Sequence, residues 1–187
     1  MFSLPDWVWA ALVLGALAAL HARSTVVRTN QERVFLFGDS LAQGLTAPMK
    51  ALAESRGAVF AADSQPGTTF PAWLSRGPQG AAAMNATVVF ISLGTNDAGA
   101  NPEHQAKVAG WAQLLAQRLR GDLPGVRVYF LAPPDPMPFP LDTVMDALRH
   151  SGAGLLVENT ALPRYDRIHP TPAAFTQWAT NIWNAVL

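Results

Sequence analysis

Short apolar runs rich in β-branched and aromatic residues alternate along this chain with stretches of helical spacing. Residues 34–37 predict a buried strand, and 41–56 a helix in which Pro48 predicts a kink or a break. Residues 58–62 predict a second strand, and a loop through Pro66 and Gly67 leads to a short helical piece near 71–75. The third strand, 87–92 (TVVFIS), is the clearest. From 103 to 120, Val108, Trp111, Leu114, Leu115 and Leu119 form the i, i+3, i+4 stripe of an amphipathic helix. Residues 126–131 predict strand four, 133–140 a proline-rich loop, 141–150 a helix and 154–157 a fifth strand. Thr171 followed by Pro172 reads as an N-cap with proline at the first helical position, opening a helix that runs towards Leu187. Strand and helix alternating in this way imply an α/β fold, a parallel sheet with helices on both faces joined by right-handed crossovers.

The first thirty or so residues break that rhythm. Residues 7–20 (WVWAALVLGALAAL) are apolar without interruption. The run is shorter than the about 20 residues a spanning helix needs, and its flanks bring it to the edge of that range. A secretory signal core is the alternative, although a basic segment before it is missing. The expected organisation is a hydrophobic membrane anchor or signal segment at 1–23, a polar linker at 24–32 and one globular domain at 33–187. This places the protein in the cell envelope, attached to the membrane. Its side is left open: Arg23, Arg28 and Arg33 after the run favour the cytoplasm by the positive-inside rule, whereas a signal-like role favours the outside.

Composition narrows the chemistry. Half of the 187 residues are apolar and 14% are charged, which suits a packed core. Lys plus Arg equals Asp plus Glu at 13 each, so the basic footprint of a nucleic-acid binder is missing. There is no cysteine, which removes thiolate catalysis, thiolate-ligated zinc and disulfides. No His/Asp/Glu grouping has metal-ligand spacing, so neither a metal nor another cofactor is expected.

In open α/β sheets ligands bind beyond the carboxyl ends of the strands. The first strand ends in Gly38-Asp39-Ser40, the loop after the second carries Gly67, Thr68 and Thr69, and the third ends in Gly94-Thr95-Asn96-Asp97. The fourth ends in Pro133-Pro134-Asp135, and the turn after the fifth carries Asp166 and His169. A serine at a strand–helix joint is commonly just an N-cap. With a base beside it, the same serine becomes a nucleophile. His169 can be that base, since Asp166 lies three residues before it and a short turn lets the carboxylate hold the imidazole. His21, His104 and His150 stand away from strand ends and read as solvated. Ser40 N–H, Gly67 N–H and the Asn96 amide can converge as an oxyanion hole, although Gly67 and Asn96 each also suit an ordinary turn. Asp39, Thr68 and Pro134 on the same rim are expected to contact substrate.

Together these residues resemble the SGNH, or GDSL-type, hydrolases. The first block of that family is similar to FGDSLAQG at 37–44, the glycine block to Gly67, the third to GTND at 94–97 and the last to DRIHP at 166–170. The resemblance runs from Val34 to about Phe175. It implies a three-layer α/β/α sandwich with a five-stranded parallel sheet, flavodoxin-like in outline. It also implies that Ser40, Gly67, Asn96 and His169 take the family's four named roles, with Asp166 completing the triad. The expected function is hydrolysis of a small acyl ester, acetyl by preference, on a carbohydrate or envelope substrate. Phe70, Trp73, Met137 and Phe139 are candidates to line its pocket. Acyl transfer would use the same site. A non-catalytic, membrane-tethered subunit that docks a membrane-protein partner is the competing class, and an intact triad argues against it.

Overall fold

β1 (Arg33–Gly38) is buried along nearly its whole length, with apolar side chains on both faces. It therefore reads as an unbroken apolar run, as strands sandwiched between helices do. The computed structural model describes residues 31–134, 136–157 and 161–187 of the chain. The expected anchor and most of the linker, His21 among them, lie outside these residues. Among the described residues no helix is long and apolar enough to cross a membrane.

β2 (Val59–Ser64), β3 (Val88–Ser92), β4 (Arg127–Leu131) and β5 (Gly154–Leu156) complete a five-stranded sheet in the order β2-β1-β3-β4-β5. Every pair is parallel, with Phe35 opposite Ala61 on one side and Val89 on the other. β1 and β3 are central, and the less buried β2 and β5 form the edges.

Alternation along the strands divides the core in two. Val34, Leu36, Val88 and Phe90 face α1 (Ser40–Ser55) and α8 (Pro172–Val186), packing with Leu45, Met49, Trp178 and Ile182. Phe35, Phe37, Val89, Ile91 and Phe130 face the other layer. That layer is built from α2 (Phe70–Trp73), α3 (Arg76–Ala83), α6 (Val108–Asp122) and α7 (Asp142–Arg149). The short α4 (Thr95–Ala98) and α5 (Pro102–Gln105) follow β3. This is the expected three-layer α/β/α sandwich.

Three local expectations need correction. Pro48 does not split α1, which runs unbroken from Ser40 to Ser55. The buried face of Leu41, Leu45, Met49 and Ala53 outweighs one missing backbone bond. The stretch between residue 75 and β3, to which the spacing assigns no element, contains α3, whose sequence RGPQGAAA has weak helix propensity. Its glycines serve packing: a Cβ on Gly77 or Gly80 would stand 2.6 or 2.5 Å from the rings of Phe37 and Phe35. The helix expected at 103–120 is two, α5 and α6, broken at Ala106 and Lys107.

Candidate active site

The strand ends place the predicted residues on one rim. Gly38 closes β1 with φ of +149°, and a Cβ there would lie 1.9 Å from the Ser92 carbonyl oxygen, so only glycine lets β1 pass β3 so closely. The chain then turns into α1. Asp39 is the N-cap, its Oδ1 accepting from Leu41 N–H at 2.9 Å, and Ser40 is the first helical residue. There its own N–H has no partner within the helix, and the positive end of the helix dipole lies beside its hydroxyl.

The turn after β5 brings His169. An antiparallel bridge joins Arg164 to Pro170, Tyr165 N–H donates to the His169 carbonyl at 3.2 Å, and Thr171 N–H donates to the Pro163 carbonyl at 2.8 Å. Thr171 caps α8 through Ala174 N–H. Inside this tight loop Asp166 Oδ1 accepts from the N–H groups of Ile168 at 2.7 Å and His169 at 2.6 Å. Its Oδ2 lies 2.8 Å from His169 Nδ1, and His169 Nε2 lies 2.8 Å from Ser40 Oγ. The hydrogen bonds from His169 hold the Asp166 carboxyl down to about 2. An ionised Asp166 only accepts, so Nδ1 carries the imidazole proton and Nε2 is free to accept from the Ser40 hydroxyl. This arrangement can take a proton from Ser40 as its oxygen attacks.

The third element is a polar cluster beside Asp39. Gly67 has φ of +76°, a left-handed conformation that suits glycine, and it is exposed at the mouth of its turn. Asn96 Nδ2 donates to the Thr68 carbonyl at 2.9 Å and makes a longer contact of 3.4 Å with Asp39 Oδ2. Asp39 is fully buried, and burial pushes its carboxyl up to about 7.

Of the three residues expected to contact substrate, Asp39 and Pro134 are buried and Thr68 is half-buried. Asp39 is buried and caps α1. The Thr68 hydroxyl donates to the Gln65 carbonyl and accepts from Trp73 Nε1. Pro134 is buried, and its carbonyl accepts from Arg164 Nη2 at 3.0 Å. Phe70 and Trp73 are fully buried too, against Phe130 and Phe37. Met137 and Phe139 do border open space at the surface. Met137 borders an open cavity of about 450 Å³ beside Asp166, with Arg164 and Arg167, and a second of about 410 Å³ that it shares with Phe139.

His150 is solvated, as expected, but His104 is not. Its Nε2 lies 2.7 Å from Oδ1 of the fully buried Asp97, and its side chain is 22% exposed. Sequence reasoning also passed over Arg164 and Tyr165. Arg164 ties the loop to the carbonyls of Pro134 and Pro136, and no local pattern announces it. Tyr165 stacks on His169 at 5.7 Å and 11°, and its place next to Asp166 was the available signal. Among the described residues no group of three or more His, Asp or Glu side chains is placed to hold a metal ion.

A family model described as the GDSL-like lipase/acylhydrolase family matches residues 36–175. Solved structures share the fold at low identity. An acetyl xylan esterase, AlAXEase, is 16% identical over 83% of this chain and 100% of its own, with a TM-score of 0.65. The lipase/acylhydrolase from Enterococcus faecalis is 16% identical over 83% and 95%, with a TM-score of 0.67. A family two carbohydrate esterase from Clostridium thermocellum is 14% identical over 83% and 63%, with a TM-score of 0.69. No curated protein matches by sequence.

Proposed function

We propose, for a chain that belongs to the GDSL-like lipase/acylhydrolase family and is an ester-hydrolysing enzyme, that Ser40 is the nucleophile of a Ser40–His169–Asp166 triad. The observation that carries this reading is the 2.8 Å approach of His169 Nε2 to Ser40 Oγ, with Asp166 fixing the other ring nitrogen. Ser40 Oγ attacks the ester carbonyl carbon and its proton passes to His169 Nε2. The resulting oxyanion is held by the N–H groups of Ser40 and Gly67 and by the Asn96 amide. One hydrogen of that amide is committed to Thr68, and the other, held only by the long contact to Asp39, is the donor. His169 then gives its proton to the leaving alcohol as the carbonyl–alkoxy bond breaks. A water, activated by the same imidazole, releases the acid and restores Ser40.

A small acyl group, acetyl by preference, on a carbohydrate or envelope alcohol is the substrate class we assign. An acetyl xylan esterase and a carbohydrate esterase among the proteins of like fold support it. The apolar run at 7–20 supports a place at a membrane, which fractionation with and without residues 1–23 tests.

The deciding experiment is hydrolysis of p-nitrophenyl acetate and of longer-chain esters by the full chain, with Ser40→Ala beside it. Turnover that is lost in the variant and falls with acyl length is the expected result. Turnover that survives Ser40→Ala would overturn the triad, and a preference for long chains would overturn the acetyl assignment.

A further inference from the structure

The two side-by-side segments that carry Gly67 and Asn96 come from different crossovers, yet an oxyanion hole requires their donors to keep one geometry. Two hydrogen bonds join them directly. One is the Asn96 amide to the Thr68 carbonyl. The other runs from Phe70 N–H to Asp97 Oδ1 at 3.2 Å. The second depends on a carboxylate that is fully buried, and its Oδ2 has no hydrogen-bond partner in the structure. Burial pushes the Asp97 carboxyl up, and the hydrogen bonds from His104 and Phe70 work against that rise.

His104 is itself held in place. Asn101 Oδ1 accepts from its backbone N–H at 2.9 Å, and its ring meets the edge of Trp111 at 4.8 Å. The neighbouring Gln105 amide donates to the carbonyls of Ala98 and Ala100, binding α5 back onto α4. A histidine that only covered the surface would not need this support, nor a 2.7 Å contact with a buried carboxylate.

We infer that Asp97 and His104 are a positioning pair for the oxyanion hole: His104 holds the Asp97 carboxylate, and Asp97 locks the Asn96 segment to the Thr68–Phe70 segment. Neither residue touches the reacting atoms. The inference rests on the assignment of Gly67 and Asn96 to the hole. The pair acts on the transition state, in which the oxyanion forms, and leaves ground-state binding of the ester alone.

The test uses the full chain and two readouts, steady-state hydrolysis of p-nitrophenyl acetate and the rate at which a fluorophosphonate modifies Ser40. Melting temperature is measured for every variant. His104→Ala is expected to lower kcat on the order of tenfold or more with KM little changed, because small misplacements near a reacting centre are costly. Modification of Ser40 should slow in parallel. His104→Gln keeps an N–H donor near the Nε2 position and should recover most of the wild-type kcat. The pair is overturned if folded His104→Ala matches wild type, or if its loss falls on KM alone. It is equally overturned if folded His104→Gln loses activity as His104→Ala is expected to, a comparison that holds even where the alanine variant does not fold. Failure of the underlying reading looks different: Asn96→Ala would keep the wild-type kcat, or wild type itself would neither turn over the ester nor be modified at Ser40.

Discussion

His169 Nε2 meets Ser40 Oγ at 2.8 Å across 129 residues of chain, and the two side chains are delivered by opposite ends of the domain. Ser40 arrives on the first turn of α1, and His169 on a loop clamped just before α8. Because α1 and α8 pack together in one layer, the approach is set by the core.

The members of the triad should not be equal. Ser40→Ala is expected to reduce kcat on the order of 10⁶-fold, and Asp166→Ala by less, on the order of 10⁴-fold, since Asp166 orients and does not bond to substrate. Steady-state kinetics of the two variants on p-nitrophenyl acetate checks the ranking. An Asp166→Ala variant as inactive as Ser40→Ala would contradict it.

Asn96→Ala should lower kcat on the order of 10²–10³-fold, the usual cost of deleting one oxyanion donor. Undiminished kcat in that variant would remove Asn96 from the hole and leave it only the contact with Thr68.

Asp39 makes the stability of the protein depend on pH in an unusual direction. Burial raises its carboxyl from 3.8 to about 7, so between those values the folded chain holds a proton that the unfolded chain has released. Stability from this group is therefore full below about pH 4, declines as pH rises and is lost above about 7. The shift corresponds to roughly 4 kcal/mol. Asp97 is shifted in the same direction, so the wild-type slope has two sources. Asp39→Asn keeps an N-cap acceptor and should flatten the curve relative to wild type. Urea unfolding midpoints from pH 4.5 to 8 measure it, and parallel curves for the two proteins would refute the assignment.

Tyr165 is 67% exposed, yet its ring lies parallel to the His169 imidazole. Removing the ring in Tyr165→Ala should lower kcat by up to about tenfold, matching the value of one aromatic stack. Tyr165→Phe keeps the stack and should behave as wild type. Equal losses in both variants would point to the hydroxyl instead.

The strands and the order of their crossovers were legible because buried parallel strands write unbroken apolar runs and the helices between them write a 3.6-residue period. Ser40, Gly67, Asn96, Asp166 and His169 were legible as candidates because four short blocks, in order and each at a strand end or turn, together resemble one family, although each alone also suits an ordinary cap or turn. α3 was not, since Gly77 and Gly80 lower helix propensity while permitting the close approach of Phe37 and Phe35, a contact absent from the local sequence. For the same reason Phe70 and Trp73 read as pocket residues and proved to be core.

By itself, then, the sequence determined the layer architecture, the strand ends that carry chemistry and the identity of the residues gathered there. Tertiary structure alone decided what each polar group bonds to. It buried Asp39 and Pro134, engaged the Thr68 hydroxyl with Gln65 and Trp73, drew His104 onto Asp97, pinned the loop through Arg164 and laid Tyr165 on His169. Periodicity and turn chemistry act over a few residues, whereas a hydrogen bond such as that from Phe70 to Asp97 joins groups brought together only when the crossovers close.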